Sequence, residues 1–110
     1  MPEHREKHIQ NEILRAFGTL PSIRLWRANV GAARIGRRLI RFGIPGQADL
    51  TGILSDGRRL EIEVKSAGGR QTPAQQAFGR TIERFNGIYV LARCTDDVRE
   101  RLEALGIELL

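Results

Sequence analysis

Apolar residues recur first at helical and then at strand spacing along this chain, and the switches between the two periods mark out its elements. In residues 3–17, Ile9, Ile13 and Phe17 stand four apart with Leu14 beside them, the stripe of a helix packed on one side. Gly18 and Pro21 end that stripe. Residues 24–30 read as a strand whose apolar content is Leu25 and Trp26, with Trp26 assigned to the core. Residues 31–46, punctuated by Gly36 and Gly43, suit a loop or a loose hairpin through residues 39–42. Two strands follow over residues 48–54 and 59–65, flanking a Ser55-Asp56-Gly57 turn. After Gly68-Gly69, Thr72 is an N-cap and Pro73 the first residue of a helix reaching Phe85, with Phe78, Ile82 and Phe85 on its inward stripe. Residues 88–92 are wholly apolar, as a central strand requires. Thr95 is expected to cap a last helix that turns Val98, Leu102 and Leu105 inward, and residues 107–110 offer an edge strand. The order α-β-β-β-α-β-α, with a possible final β, predicts a single α/β domain over residues 1–110 with a mixed sheet flanked by helices.

Alternation within the second strand of the hairpin concentrates the chemistry. Leu60, Ile62 and Val64 share one face, and Glu61, Glu63 and Lys65 share the other. An exposed Glu-Lys strand face would give the same pattern. Two features argue for more. Sixteen arginines accompany only two lysines, Lys7 and Lys65, so an ammonium at position 65 stands out where a guanidinium is the habit of the chain. The Asp56-Gly57 turn also carries Asp49, on the first strand, to the Lys65 end of the second. Carboxylates gathered there repel one another unless a cation lies between them, and hard oxygen ligands suit Mg²⁺ or Mn²⁺. Polar groups on the two helical stripes point the same way: Glu6 and Gln10 continue the line of Ile13 and Phe17, and Gln75 precedes Phe78 and Ile82. Gln75 also stands three residues after Thr72, so a capping box accounts for it without any chemistry.

Charge narrows the partners. The chain carries a formal net charge of +5, and between Ile13 and Ala48 it has seven arginines and no acid. That stretch suits phosphate backbones, whereas an aromatic content of 5% disfavours base stacking as the main mode of binding. Cys94 has no partner for a disulfide and no zinc spacing, which predicts a small core thiol and a reducing cytosol. His4 and His8 find no third ligand and read as surface. No apolar run is long enough to span a bilayer, and the charged N-terminus does not read as a signal peptide.

Gly46-x-x-Asp49, Glu63-x-Lys65 and Gly69-Arg70-x-Thr72-x-x-Gln75, preceded by Glu6-x-x-x-Gln10 and Arg27-x-Asn29-x-Gly31, resemble the VRR-NUC group of PD-(D/E)xK nucleases over residues 5–98. The resemblance implies a restriction-endonuclease-like core and a metal-dependent DNA endonuclease, selective for branched or junction DNA in replication, repair or recombination. Stand-alone phage and bacterial members are similar to Holliday-junction resolvases, which implies a homodimer in a bacterial or phage-infected cytosol, with no organic cofactor and no membrane. On this reading Asp49, Glu63 and the main-chain carbonyl of Val64 hold Mg²⁺ or Mn²⁺. Lys65 positions the attacking water, Glu6 orients a metal-bound water and Gln75 holds Lys65 or the nucleophile. Arg27, Asn29, Arg34, Arg37, Arg38 and Arg70 grip the DNA backbone. Ala48 stands where the family has a proline, and Glu61 leaves open which glutamate meets the ion, the family spacing favouring Glu63. A non-catalytic, structure-selective DNA-binding module and an RNA-directed nuclease are the alternative readings.

Overall fold

The computed structural model describes residues 2–28 and 31–110, with the side chains of residues 2–4 excepted. Its elements run α1 (Pro2–Phe17), β1 (Ile23–Arg27), β2 (Gly31–Ile35), β3 (Arg38–Phe42), β4 (Leu50–Leu54), β5 (Arg59–Val64), α2 (Pro73–Arg84), β6 (Ile88–Ala92) and α3 (Thr95–Ala104). Four strands form a mixed sheet in the order β1-β4-β5-β6, antiparallel except for the β5–β6 pair. The parallel pair follows from α2, which carries the chain back over the sheet between β5 and β6.

Strand alternation divides the protein into two layers of contact. Leu50, Leu60, Ile62, Val64, Ile88 and Val90 face α1 and α3 and close the main core with Ile13, Phe17, Val98 and Leu102. Ile13 is fully buried, and truncating it to alanine would cost about 2–5 kcal/mol. The opposite face meets α2 through a much smaller apolar cluster of Ala48, Phe78 and Ile82, with Tyr89 against it. Gly79 makes that approach possible, because a Cβ there would lie 2.8 Å from the Tyr89 ring. The polar residues of β5 therefore sit beneath α2, in a layer with little apolar filling.

Several expectations need correction. Of the two forms expected for residues 31–46, the hairpin is the one found: β2 and β3 form an antiparallel ribbon joined by Gly36-Arg37, and residues 43–46 are the turn that follows. Gly36 has φ +62°, as the first central residue of a type II′ turn requires. Every residue of the two strands is exposed. Trp26 is 52% exposed and is not a core residue, because β1 is an edge strand and its alternate positions look outward. Phe85 is 74% exposed and caps α2 outside the packed stripe, its ring lying under the Arg84 guanidinium. Leu105 follows α3 and is partly exposed as well. Cys94, expected in the core, is exposed at the β6–α3 junction and is itself the N-cap position in place of Thr95. Cys94 makes no side-chain cap; Asp97 instead accepts the Arg93 backbone N–H at 2.8 Å. Residues 107–110 form no strand: Ile107 and Leu109 pack on the core edge, and the Glu108 carbonyl accepts the Ser22 hydroxyl. Among the described residues no helix is long and apolar enough to cross a membrane.

Candidate active site

The turn after β4 sets the geometry of the site. Ser55-Asp56-Gly57 is a three-residue connection, with Gly57 at φ +93° and the Asp56 carboxylate accepting the Arg58 backbone N–H at 2.9 Å. It pairs Leu50 with Ile62, so Asp49 falls beside Glu63 at the next step. Asp49 Oδ2 accepts the Val64 backbone N–H at 2.8 Å, which pins the carboxylate at the end of the strand pair. A second constraint comes from Gly46. Its φ is +76°, and a Cβ there would stand 2.2 Å from the Ala74 carbonyl oxygen. Only glycine lets this loop press against the first turn of α2 and deliver Asp49 beneath it.

Glu63 is buried, and among the described residues its one hydrogen-bond donor from outside the carboxyl pair comes from α2. Thr72 and Gln75 form a reciprocal capping box: the Gln75 side-chain oxygen accepts the Thr72 backbone N–H at 2.9 Å, and the Thr72 hydroxyl accepts the Gln75 backbone N–H at 3.2 Å. The same Gln75 side chain donates Nε2–H to Glu63 Oε2 at 3.1 Å. Capping and site positioning are thus two halves of one amide. Gln75 orients Glu63, and Lys65 is not its partner. Among the described residues, Glu63 Oε1 is buried without a hydrogen-bond partner, and so is Glu61 Oε1.

Burial, then the neighbouring Asp49 charge, pushes the Glu63 carboxyl up to about 8, against the opposing pull of Lys65. Asp49 is raised as well, by burial first, although the Val64 N–H holds it back. The two carboxyl groups interact side chain to side chain, Glu63 favouring the protonated form.

Lys65 continues β5 by donating its backbone N–H to the Ala92 carbonyl at 3.0 Å, and its charge favours ionisation of both acids. Its ammonium makes no hydrogen bond or ion pair among the described residues. Glu6 reaches the site from α1, where Oε2 accepts the Ser66 backbone N–H at 3.1 Å and lies 3.4 Å from its hydroxyl. Arg93 donates to the Ser66 carbonyl at 2.7 Å, so the residue after Lys65 is clamped from both sides. Ser66 and Arg93 carried no signal in the sequence, because their role depends on where α1 and the end of β6 meet.

Glu61 shares the face of Glu63 and is fully buried, yet its surroundings are different. Its Oε2 accepts from the Thr51 hydroxyl and, at 3.0 Å, from Arg59 Nε. Arg59 and Thr51 occupy Glu61, whereas Glu63 faces Asp49. Strand register, which sets Thr51 opposite Glu61, was the available signal. Tyr89 lies beside this layer, its hydroxyl accepting from Gln71 at 2.8 Å, and burial followed by the Glu63 charge raises it to about 12.

A cleft of about 530 Å³ opens between the base of the β2–β3 ribbon and the start of α2, bounded by Ala32, Arg41, Gly46, Asp49 and Gln75 among others. Arg41 on its wall was not singled out from the sequence as a contact. A second, mainly apolar groove of about 540 Å³ runs past Ala77, Phe78 and Phe85 and includes neither Asp49 nor Glu63. The other basic candidates are dispersed. Arg27 is engaged within the protein, donating to Gln10 Oε1 at 2.6 Å and to Asn11. Arg34, Arg37 and Arg38 lie on the exposed ribbon and its turn, and Arg70 is exposed in the segment before α2. Asn29 lies outside the described residues. Among the described residues no group of three or more His, Cys, Asp or Glu is gathered for ligation. An ion here would take two carboxylates and draw the remainder of its shell from main-chain oxygen and water. No family model matches this chain, and no curated protein or solved structure matches it.

Proposed function

We propose that this protein is a Mg²⁺- or Mn²⁺-dependent nuclease that hydrolyses DNA phosphodiesters, preferentially at branched or junction structures. The observation that carries the reading is the Asp49–Glu63 pair: two desolvated carboxyls facing one another, one raised to about 8, beside a cleft walled by Arg41. Such a pair fits a hard divalent cation, because the ion removes the repulsion that now favours the proton. The motif order that resembles the VRR-NUC group adds weight, and the reading takes α1, the β4–β5 hairpin and α2 as a PD-(D/E)xK core.

Asp49, Glu63 and the Val64 carbonyl would hold the ion. When bound, it supplies Lewis-acid stabilisation of phosphate charge and a lowered pKa for water. Gln75 keeps Glu63 in one orientation while the cap holds Gln75 itself. Lys65 offsets phosphate charge and orients the water that attacks phosphorus as the bond to the leaving sugar oxygen breaks. Glu6 acts through Ser66, fixing the backbone that carries Lys65. Arg41 pairs with a phosphate in the cleft. A homodimer would present two such centres to the paired strands of a junction.

Labelled four-way, flap and duplex substrates incubated with Mn²⁺ test the reading. Wild-type protein is expected to cut, and Glu63→Gln and Lys65→Ala to lose about 10²-fold or more. Cleavage by both variants at the wild-type rate would remove the assignment.

A further inference from the structure

We infer that the β2–β3 ribbon is a DNA-gripping arm that enters the major groove of B-form duplex beside the carboxylate cleft. The inference rests on the DNA-nuclease reading and names the element that makes the protein choose DNA duplex over RNA duplex.

The register settles what each face of the ribbon presents. Ala32 pairs with Arg41 and Arg34 with Leu39, so Arg34 and Arg41 share one face. Leu39 joins them there, while Ile35, Ile40 and Phe42 lie on the other face together with Arg38. Ala32 and Arg41 also line the cleft that contains Asp49, with Gly31 and Phe42 of the other face beside them, so the base of the ribbon opens onto the site. Arg37 stands at the turn. No acid occurs between Ile13 and Ala48, so nothing on the arm offsets its charge. The protein measures 49 × 31 × 25 Å, an elongated shape for a chain whose remaining elements stack in layers.

Dimensions select the partner. Two strands lie about 4.8 Å apart, and five residues extend about 17 Å, a ribbon narrow enough for a major groove about 12 Å wide and too broad with its side chains for a minor groove about 6 Å wide. A-form RNA closes its major groove to side chains. The basic face meets the duplex, and Arg37 reaches a phosphate at the groove edge.

Binding of the intact chain to a 24-base-pair DNA duplex, without divalent metal and followed by fluorescence anisotropy over a range of salt, tests this. Arg34→Ala with Arg41→Ala is expected to weaken binding at least tenfold and to flatten the salt slope by about 2. Arg99→Ala, on α3, is expected to bind as wild type does. Mn²⁺-induced thermal stabilisation of the double variant should match wild type, showing an intact fold and carboxylate pair. Methyl green, a major-groove ligand, should compete where netropsin does not, and an RNA duplex of the same sequence should bind at least tenfold more weakly. Equal binding of RNA and DNA, or competition by netropsin alone, overturns the proposal. So does an Ile35→Ser/Ile40→Ser pair that changes the sedimentation coefficient while Arg34→Ala/Arg41→Ala leaves DNA affinity intact, since the ribbon would then join copies. Absence of cleavage by wild type with intact arm-dependent binding would refute the nuclease and leave the arm standing.

Discussion

Glu61 and Glu63 are the same residue type on the same face of the same strand, two positions apart, and both are buried, yet their surroundings give them opposite characters. At Glu61 Oε2 receives the Thr51 hydroxyl from β4 and the Arg59 guanidinium from two residues back on β5 itself. At Glu63 the neighbouring segment supplies another acid, Asp49, and the Gln75 amide donates from α2. Burial alone does not make a reactive carboxylate. A buried acid with donors is architecture, and a buried acid facing a second acid is, on the proposed reading, a place for a cation.

The comparison breaks most visibly in catalysis. Glu63→Gln should lower the rate of DNA cleavage by about 10²-fold or more, whereas Glu61→Gln, which keeps shape and one acceptor, should stay within about tenfold of wild type in single-turnover assays. Equal losses would show that the two acids act as one cluster.

Stability against pH separates them next. An acid whose folded pKa lies above its unfolded value binds its proton more tightly in the folded protein. Folding is therefore favoured at low pH, and that advantage disappears as the pH rises from about 4.5 to about 8. The urea midpoint of the metal-free protein should fall across that interval. Mn²⁺ should restore it more at pH 8 than at pH 6, and Glu63→Gln should flatten the profile. A metal-free midpoint that rises over the same interval would contradict the picture of Glu63 as a protonated, desolvated acid.

Removing Glu61 altogether is a purely structural injury. Glu61→Ala leaves Thr51 and Arg59 without their acceptor and should destabilise the protein by about 2 kcal/mol in denaturant titration, the half-exposed Arg59 limiting the cost. A smaller effect is expected at Gln75. Thr72→Ala removes one side of the helix cap, at about 1 kcal/mol. Gln75→Ala removes the reciprocal cap and the Glu63 donor as well, and should lower cleavage several-fold beyond what Thr72→Ala does. Identical activities in the two variants would leave the capping box as the whole function of Gln75.

Much of this site was legible in the residues themselves. Period-two alternation and the Asp56-Gly57 turn are local properties, and together they gather Asp49, Glu63 and Lys65 at one end of a hairpin. The capping box was equally local. Misreadings came where burial was inferred from hydrophobicity. Trp26, Phe85 and Leu105 fit apolar patterns but lie on an edge strand or at helix ends, where no neighbouring layer covers them. The ribbon of residues 31–42 was only half visible, because all ten of its strand residues are exposed and no core face imposes an alternation.

By itself, then, the sequence determines the strand that carries the acids, the turn that doubles it back and the face on which they lie, since each depends on backbone geometry within a few residues. Tertiary structure alone decides that Gln75 reaches across to Glu63, that Glu6 and Arg93 meet at Ser66 and that Arg41 walls the cleft. Those outcomes depend on which layers cover which face, and desolvation and charge coupling arise only when distant segments pack together.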